Sequence, residues 1–219
     1  PYFLKQMLEN PFTPATTAGN GDQRENLAKA DALLKQAGWH LQNGKRLNEK
    51  GQPLTVELMI KDPRLEKIAL SFKESLKKLG VELSVRMMDT VQYENRVVES
   101  DFDMIVHTWA NSLSPGNEQI YYFSAKNADI KGSSNYIGIK DPIAEDLAKG
   151  VANARNKEVF VAAVHALDRY IMHQYFQIPL SYENTLRWAY WVDHLAIPEI
   201  DPEVGLDVMN LGWSPSSAS

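Results

Sequence analysis

The sequence predicts an α/β fold in which a parallel or mixed sheet is covered by helices. Three observations carry this. Apolar residues alternate over residues 54–60 and again over 81–87, a 3.6-residue period fills the segment between them, and a third apolar run over 102–109 follows another helical segment. Strand, helix, strand, helix, strand in that order calls for neighbouring strands joined by right-handed helical crossovers.

The elements follow in chain order. Residues 1–21 hold "NPFTPATTAGNG", an extended lead-in rich in Pro, Thr and Gly. Asp22, with Glu25 three residues on, predicts an N-cap and capping box. Leu27, Ala30, Leu34 and Ala37 then form an apolar stripe that stops at Gly38. Asn43-Gly44 between two short segments predicts a hairpin, because both residues tolerate the positive φ of a type I′ turn. Leu54, Val56, Leu58 and Ile60 read as a strand, and Asp62-Pro63 starts a helix with Leu65, Ile68, Phe72, Leu76 and Leu79 on one face, ending at Gly80. Val81, Leu83, Val85 and Met87 alternate as the second strand, Thr90 caps a short helix through Glu99, and residues 102–109 read as a third strand buried on both faces.

A long polar loop is predicted over 111–140, carrying Tyr121, Tyr122, Phe123 and Tyr136. Loops of that length in compact domains serve function or are disordered, and its aromatics argue against disorder. Asp141-Pro142 opens a helix with Ile143, Leu147 and Val151, and Asn156 caps another with Phe160, Val164, Leu167 and Ile171. Residues 175–191 read as strands, with Pro179 favouring an edge, and "SPSSAS" as a frayed tail. No internal repeat is present.

Composition narrows the function classes. With 219 residues and 44% hydrophobic content, the chain is long enough for one large core without staples. A net charge of −5 weighs against a nucleic-acid-binding face. Lys73, Lys77 and Lys78 share their helix with Glu66 and Glu74 and read as a solvated surface. The absence of cysteine removes disulfides and thiolate chemistry and leaves the compartment open. No apolar run reaches membrane-spanning length. The chain starts at Pro1 without a leader and reads as a fragment or processed product.

Catalysis finds no support in the residues. His107, His165 and His173 are the candidate bases or ligands, yet His165 and His173 lack the i, i+4 arrangement with a Glu that a helical zinc site uses, so each reads as an ordinary surface or packed histidine. No nucleophile elbow, phosphate-cradling loop, dinucleotide fingerprint or carboxylate pair occurs, and no cofactor or metal is expected. The polar burst "NSLSPGNE" after Trp109 lies where open α/β sheets place ligands, beyond the carboxyl end of a strand. Asn111, Ser112, Ser114 and Asn117 offer neutral donors and acceptors suited to amides and sugars, or to the turn at Pro115-Gly116 itself.

"ENLAKADALLKQAGWHLQNGK", "LTVELMI", "ALSFKESLKKLGVELSVRMMDTVQYENRV", "FDMIVHTWANSLSPGNE" and "SSNYIGIKDPIAEDL" together resemble the C-terminal half of the extracellular family 5 solute-binding proteins. These are the peptide and nickel receptors of ABC importers, and the likeness is greatest to their YejA-like oligopeptide-binding branch. It covers roughly residues 20–215, and "ALLKQAGW" and "SLSPGNEQ" are its most specific parts.

The resemblance implies one lobe of a two-lobe periplasmic binding protein that clamps its ligand by hinge closure. Its expected partners are an oligopeptide held by main-chain hydrogen bonds and the permease subunits of an ABC transporter, with no nucleic acid, and its expected state is monomeric. Residues 1–21 would be the lead-in, 22–192 the ligand-binding lobe and 193–219 a segment returning toward the other lobe, with residues 188–213 leaving apolar surface exposed in isolation. Trp109 would line the cleft, with packing under the long loop as the alternative, and Asn111 and Ser112 would contact the ligand. Asn135 and Tyr136 match the asparagine-containing stretch before the family's Asp-Pro helix start. The loop lacks the aspartate that many peptide receptors of the family use for a ligand's amine. Glu118 is the nearest carboxylate, and it could pair with that amine or cap the segment "IYYF". An effector-sensing α/β domain of a transcriptional regulator and a non-catalytic fragment of a hydrolase are the competing readings.

Overall fold

The structure, a computed structural model, describes residues 12–17, 19, 21–109 and 114–181. The chain divides into one unit over 1–176 and a second over 177–219, of which 177–181 are described and carry no regular secondary structure.

Helix α1, Arg24–Gln36, begins two residues after Asp22. Its N-cap is Gln23, which makes no side-chain capping bond, so the predicted capping box does not form. Asp22 Oδ1 instead accepts from the Arg24 N–H at 2.9 Å, and Glu25 pairs with Lys29 one turn on. The C-terminus is closed as expected: Gly38 N–H donates to the Lys35 carbonyl and Trp39 N–H to the Leu34 carbonyl, with Gly38 at φ 83°. The stripe is only half-buried, and Leu33 lies exposed. Strands β1 (His40–Gln42) and β2 (Lys45–Leu47) form the expected antiparallel hairpin, with Asn43 at φ 49° and Gly44 at φ 76°.

The central sheet holds β3 (Thr55–Ile60), β4 (Glu82–Met87) and β5 (Met104–Ile105), ordered β4-β3-β5 and parallel throughout among the described residues. Asp62 caps a 3₁₀ turn, Pro63–Leu65, which leads into α2, Glu66–Lys78. Asp89, rather than Thr90, caps α3 (Thr90–Val98) by accepting from Gln92 N–H at 3.0 Å; Thr90 is the first helical residue.

The alternation in β3 divides the core between two faces. Leu58 and Ile60 meet Ala69 of α2 and Leu83 of β4, with Phe72 and Leu76 beside them. Met59, fully buried, meets Tyr93 and Val97 of α3 and Met88 on the opposite face. Ala69 takes the place expected of Ile68, which is 47% exposed: a central strand covered by close helices leaves room for a methyl where the helix approaches it.

The third strand is shorter than expected, being regular only at Met104–Ile105. Its side chains are half-buried rather than enclosed on both faces, because β5 is the edge of the described sheet and only β3 pairs with it. Nor is 111–140 a simple loop. It contains α4, Glu118–Phe123, and a 3₁₀ turn, Ala125–Asn127. Helices α5 (Pro142–Ala152) and α6 (Lys157–His173) start as predicted: Asp141 accepts from Ile143 N–H at 2.8 Å and Asn156 from Val159 N–H at 2.9 Å. Phe123 of α4, Ala144, Ala148 and Val151 of α5, and Leu167, Tyr170 and Ile171 of α6 form a separate helical core. Residues 176–181 are irregular, not strand, and the rest of the predicted strand segment and the tail lie outside the described residues.

Candidate functional site

The carboxyl ends of β3 and β5 and the loop beyond β5 bring five aromatic rings together. In extended chain, residues two apart share a face, so His107 and Trp109 emerge on one side of the segment after β5. Their rings meet edge to face at 5.3 Å. The His107 ring lies 4.3 Å from that of Tyr136, and Tyr136 lies 5.9 Å from Trp109. Trp109 rests on α4, with its ring 4.7 Å from Tyr122 and 5.9 Å from Phe123. Edge-to-face and tilted pairs of this kind contribute about 0.5–1.5 kcal/mol each beyond area burial, so the rings hold one another in place.

Behind the rings, α3 anchors the strand end. Tyr93 donates from its hydroxyl to the Val106 carbonyl at 3.1 Å, and burial pushes its phenol up to about 12, so it stays a donor. Lys61, the residue after β3, pairs with Glu94 of α3 and places its ammonium 5.0 Å above the Tyr93 ring. His107 has its pKa lowered, first by burial, with Lys61 acting in the same direction and Glu94 opposing. The imidazole is therefore held neutral.

The polar tips of this cluster point outward. Among the described residues, the His107 ring nitrogens, the Trp109 indole N–H and the Tyr136 hydroxyl make no hydrogen bond; His107 is exposed, and no buried side-chain nitrogen or oxygen lacks a partner, so the Trp109 and Tyr136 groups also reach solvent. Three rings packed by their carbon faces, with donors and acceptors toward water, form a surface suited to flat polar groups.

Two other predicted site residues have structural work. Asn135 is buried: its Nδ2 donates to the Ser124 and Ile139 carbonyls at 3.0 and 2.9 Å, while its Oδ1 accepts from Ile139 N–H at 3.0 Å. Its amide is engaged with backbone, and it fixes the turn that carries Tyr136. Glu118 Oε1 accepts from Gly116 N–H at 2.7 Å, closing the Pro115-Gly116 turn onto the first turn of α4. Burial works against its charge, but hydrogen bonds from backbone N–H groups outweigh that and lower its pKa. Asn111 and Ser112 lie outside the described residues. Of the predicted set, Trp109 and Tyr136 are brought together, with Asn135 and Glu118 supporting the segments beside them.

Sequence reasoning missed His107 and Tyr122 as members of this cluster. The period-two spacing of His107 and Trp109 was available as a signal; Tyr122 was hidden because its segment read as loop. The other histidines lie elsewhere: His165 is exposed, and His173 packs on Phe12 at 5.9 Å while its Nδ1 meets the Arg169 carbonyl at 2.8 Å. No described helix is long and apolar enough to cross a membrane.

Comparison with known proteins gives a consistent result. The family model for bacterial extracellular solute-binding proteins, family 5, middle, matches residues 4–130. The uncharacterised protein y4wM of Sinorhizobium fredii is 42% identical over 214 residues, covering 97% of this chain and 32% of that protein. The probable peptide-binding protein YejA of Agrobacterium fabrum is 38% identical over 193 residues, 88% of this chain and 31% of its own. The chain thus spans about a third of the length of the curated relatives it matches. Among solved structures, the oligopeptide-binding protein AppA of Bacillus subtilis, in complex with a nonapeptide, aligns with a TM-score of 0.61 at 22% identity, over 76% of this chain and 32% of AppA. At that identity the likeness shows the fold: an α/β portion of a binding protein. The chain belongs to the bacterial extracellular solute-binding proteins of family 5.

Proposed function

We propose that this chain forms part of a periplasmic receptor that captures oligopeptides and delivers them to the permease subunits of an ABC transporter, working as a monomer and without catalysis. The observation that carries this reading is the ring cluster of His107, Trp109 and Tyr136 at the carboxyl end of the parallel sheet, with its polar tips toward solvent. An extended peptide offers it flat amide planes and main-chain donors and acceptors. The A. fabrum relative carries the name probable peptide-binding protein YejA and the B. subtilis structure that of an oligopeptide-binding protein, and both names support the same class. Family membership favours this reading over a regulator's sensing domain or a hydrolase fragment.

In this reading residues 22–192 are the ligand-binding lobe, 1–21 lead into it and 193–219 return toward the rest of the receptor. Trp109 and Tyr136 touch the ligand, Asn111 and Ser112 add side-chain contacts, and Glu118 and Asn135 hold the adjoining turns. The test is calorimetric titration of the full-length protein with an equimolar tetrapeptide pool. Binding at about micromolar affinity or tighter is expected. Failure to bind the pool, with binding to an oligosaccharide pool instead, would overturn the peptide reading.

A further inference from the structure

We propose that His107 is a ligand-contacting residue that sets specificity, accepting a hydrogen bond from a main-chain N–H of the bound peptide through a ring nitrogen. This rests on the peptide-binding reading above. It goes further by assigning a side chain and its protonation state to the contact.

The geometry is the first support. Tyr136, 4.3 Å away, and Trp109, 5.3 Å away, contact the imidazole from two directions, so its plane is fixed before any ligand arrives. Neither ring nitrogen makes a hydrogen bond among the described residues, while the ring itself lies against Tyr136 and Trp109. His107 is exposed, so its ring nitrogens are open to a ligand at the carboxyl end of the sheet, where ligands of α/β folds bind.

The surroundings select the neutral form. From the segment after β3, Lys61 places a cation nearby; from α3, Glu94 places a carboxylate that pairs with Lys61, and Tyr93 turns its hydroxyl to the Val106 carbonyl. From the turn before α5 comes the Tyr136 phenol, and Trp109 adds no titratable group. Among the described residues, Glu94, the carboxylate that favours an imidazolium, is thus already engaged by an ammonium, and burial acts against protonation as well. A neutral imidazole keeps one bare nitrogen as an acceptor, whereas the imidazolium has two donors and no acceptor. A ligand N–H is therefore recognised only while the ring is neutral, and acid should release it.

The test uses the full-length protein and the equimolar tetrapeptide pool, titrated at about pH 7.5 and about pH 5. His107→Phe keeps a flat ring against Trp109 and Tyr136 but has no nitrogen, and His107→Gln restores an acceptor. At the higher pH, His107→Phe should bind about 3- to 10-fold more weakly than wild type, and His107→Gln should recover part of the loss. Wild type should weaken on acidification, and His107→Phe should weaken less. Equal affinity of wild type and His107→Phe, or an identical pH dependence in both, would overturn the assignment. Trp109→Ala separates this outcome from failure of the parent reading. If that variant loses binding while His107→Phe does not, the peptide site stands and the role of His107 falls; if wild type binds no peptide, both fall.

Discussion

Asn135 and Ile139 are bonded to each other twice: the Asn135 Nδ2 donates to the Ile139 carbonyl at 2.9 Å, and the Ile139 N–H donates back to Asn135 Oδ1 at 3.0 Å. A third bond, from Nδ2 to the Ser124 carbonyl, ties this turn to the end of α4. Tyr136 sits inside the loop so closed, and the rigidity of the site depends on it. Asn135→Ala leaves the buried Ile139 N–H without its partner and should destabilise by about 2–4 kcal/mol. Thermal unfolding should show a drop of several degrees, and Asn135→Asp, which keeps the acceptor but loses both donors and adds a buried charge, should not rescue it.

Arg46, the central residue of β2, is fully buried and its side chain collects carbonyls at the ends of two helices. Its guanidinium donates to the Leu79 carbonyl at the end of α2 at 2.8 Å, to the Trp39 carbonyl just past α1 at 3.4 Å, and to Asp31 of α1 at 2.5 Å. A cation against the negative ends of two helices is favourably placed, and its planar fork suits three divergent acceptors. Arg46→Ala should cost about 3 kcal/mol or more, through lost bonds and an internal void. Arg46→Lys should recover little. Asp31→Asn should cost less than either, since Asp31 is about a third exposed and water can replace it. Urea denaturation of the three variants gives the order.

Gly80 and Gly38 both end helices at positive φ, 77° and 83°, yet they should respond differently to substitution. A Cβ on Gly38 meets nothing within 4 Å, whereas one on Gly80 would lie 3.1 Å from the Arg46 nitrogen, 3.2 Å from the Gly44 carbonyl oxygen and 2.5 Å from the Leu41 side chain. Gly38→Ala should carry only the left-handed penalty of about 1–2 kcal/mol. Gly80→Ala should exceed it clearly, because the backbone atoms of the hairpin cannot swing aside as Leu41 can. Equal losses for the two variants would show that the hairpin yields.

Glu145 of α5 pairs with Lys149 and also accepts from the Ala125 N–H at 3.1 Å, joining α5 to the turn after α4. The Lys149 hydrogen bond leads the effects that lower its pKa, over the opposing effect of burial. A carboxylate whose folded pKa is depressed contributes stability above its unfolded pKa, and that contribution is lost as pH falls through the folded value. Wild type should therefore exceed Glu145→Gln in melting temperature near neutrality, and the gap should close as pH drops below about 4. A gap independent of pH would mean that the charge contributes nothing.

Much of the framework was legible in local sequence, where the physics is local. Asp62-Pro63, Asp141-Pro142, Asn156, Gly38, Gly80 and Asn43-Gly44 mark ends and turns whose backbone needs are met within a few residues. Period-two patterns placed β3 and β4 because alternate residues of each, Leu58 and Ile60 in β3 and Leu83 and Val85 in β4, pack against α2 on one face. What escaped depended on distant contacts. Residues 102–109 have the composition of an enclosed strand, but pairing with β3 extends over Met104 and Ile105 alone, and pairing cannot be read from composition. The segment "IYYF" has the β-favouring side chains of a strand or loop, yet Phe123 is drawn into the core of α5 and α6 as part of a helix, a tertiary override of local preference. Asn135 entered the candidate site through the family resemblance, and nothing in its local sequence signals the three backbone groups of Ser124 and Ile139 that its amide bonds.

The central claim is that Trp109, packed on Tyr122 at 4.7 Å and set beside His107 and Tyr136, serves the ligand rather than the core. The most direct test is Trp109→Ala in the full-length receptor, with affinity for the tetrapeptide pool and melting temperature measured on the same preparation. The expected result is a loss of affinity of about 10-fold or more with a melting temperature lowered by only a few degrees, since the ring is half-buried and its loss removes packing at one edge of the helical unit. A large fall in melting temperature with unchanged affinity would contradict it and make Trp109 a packing residue under the loop.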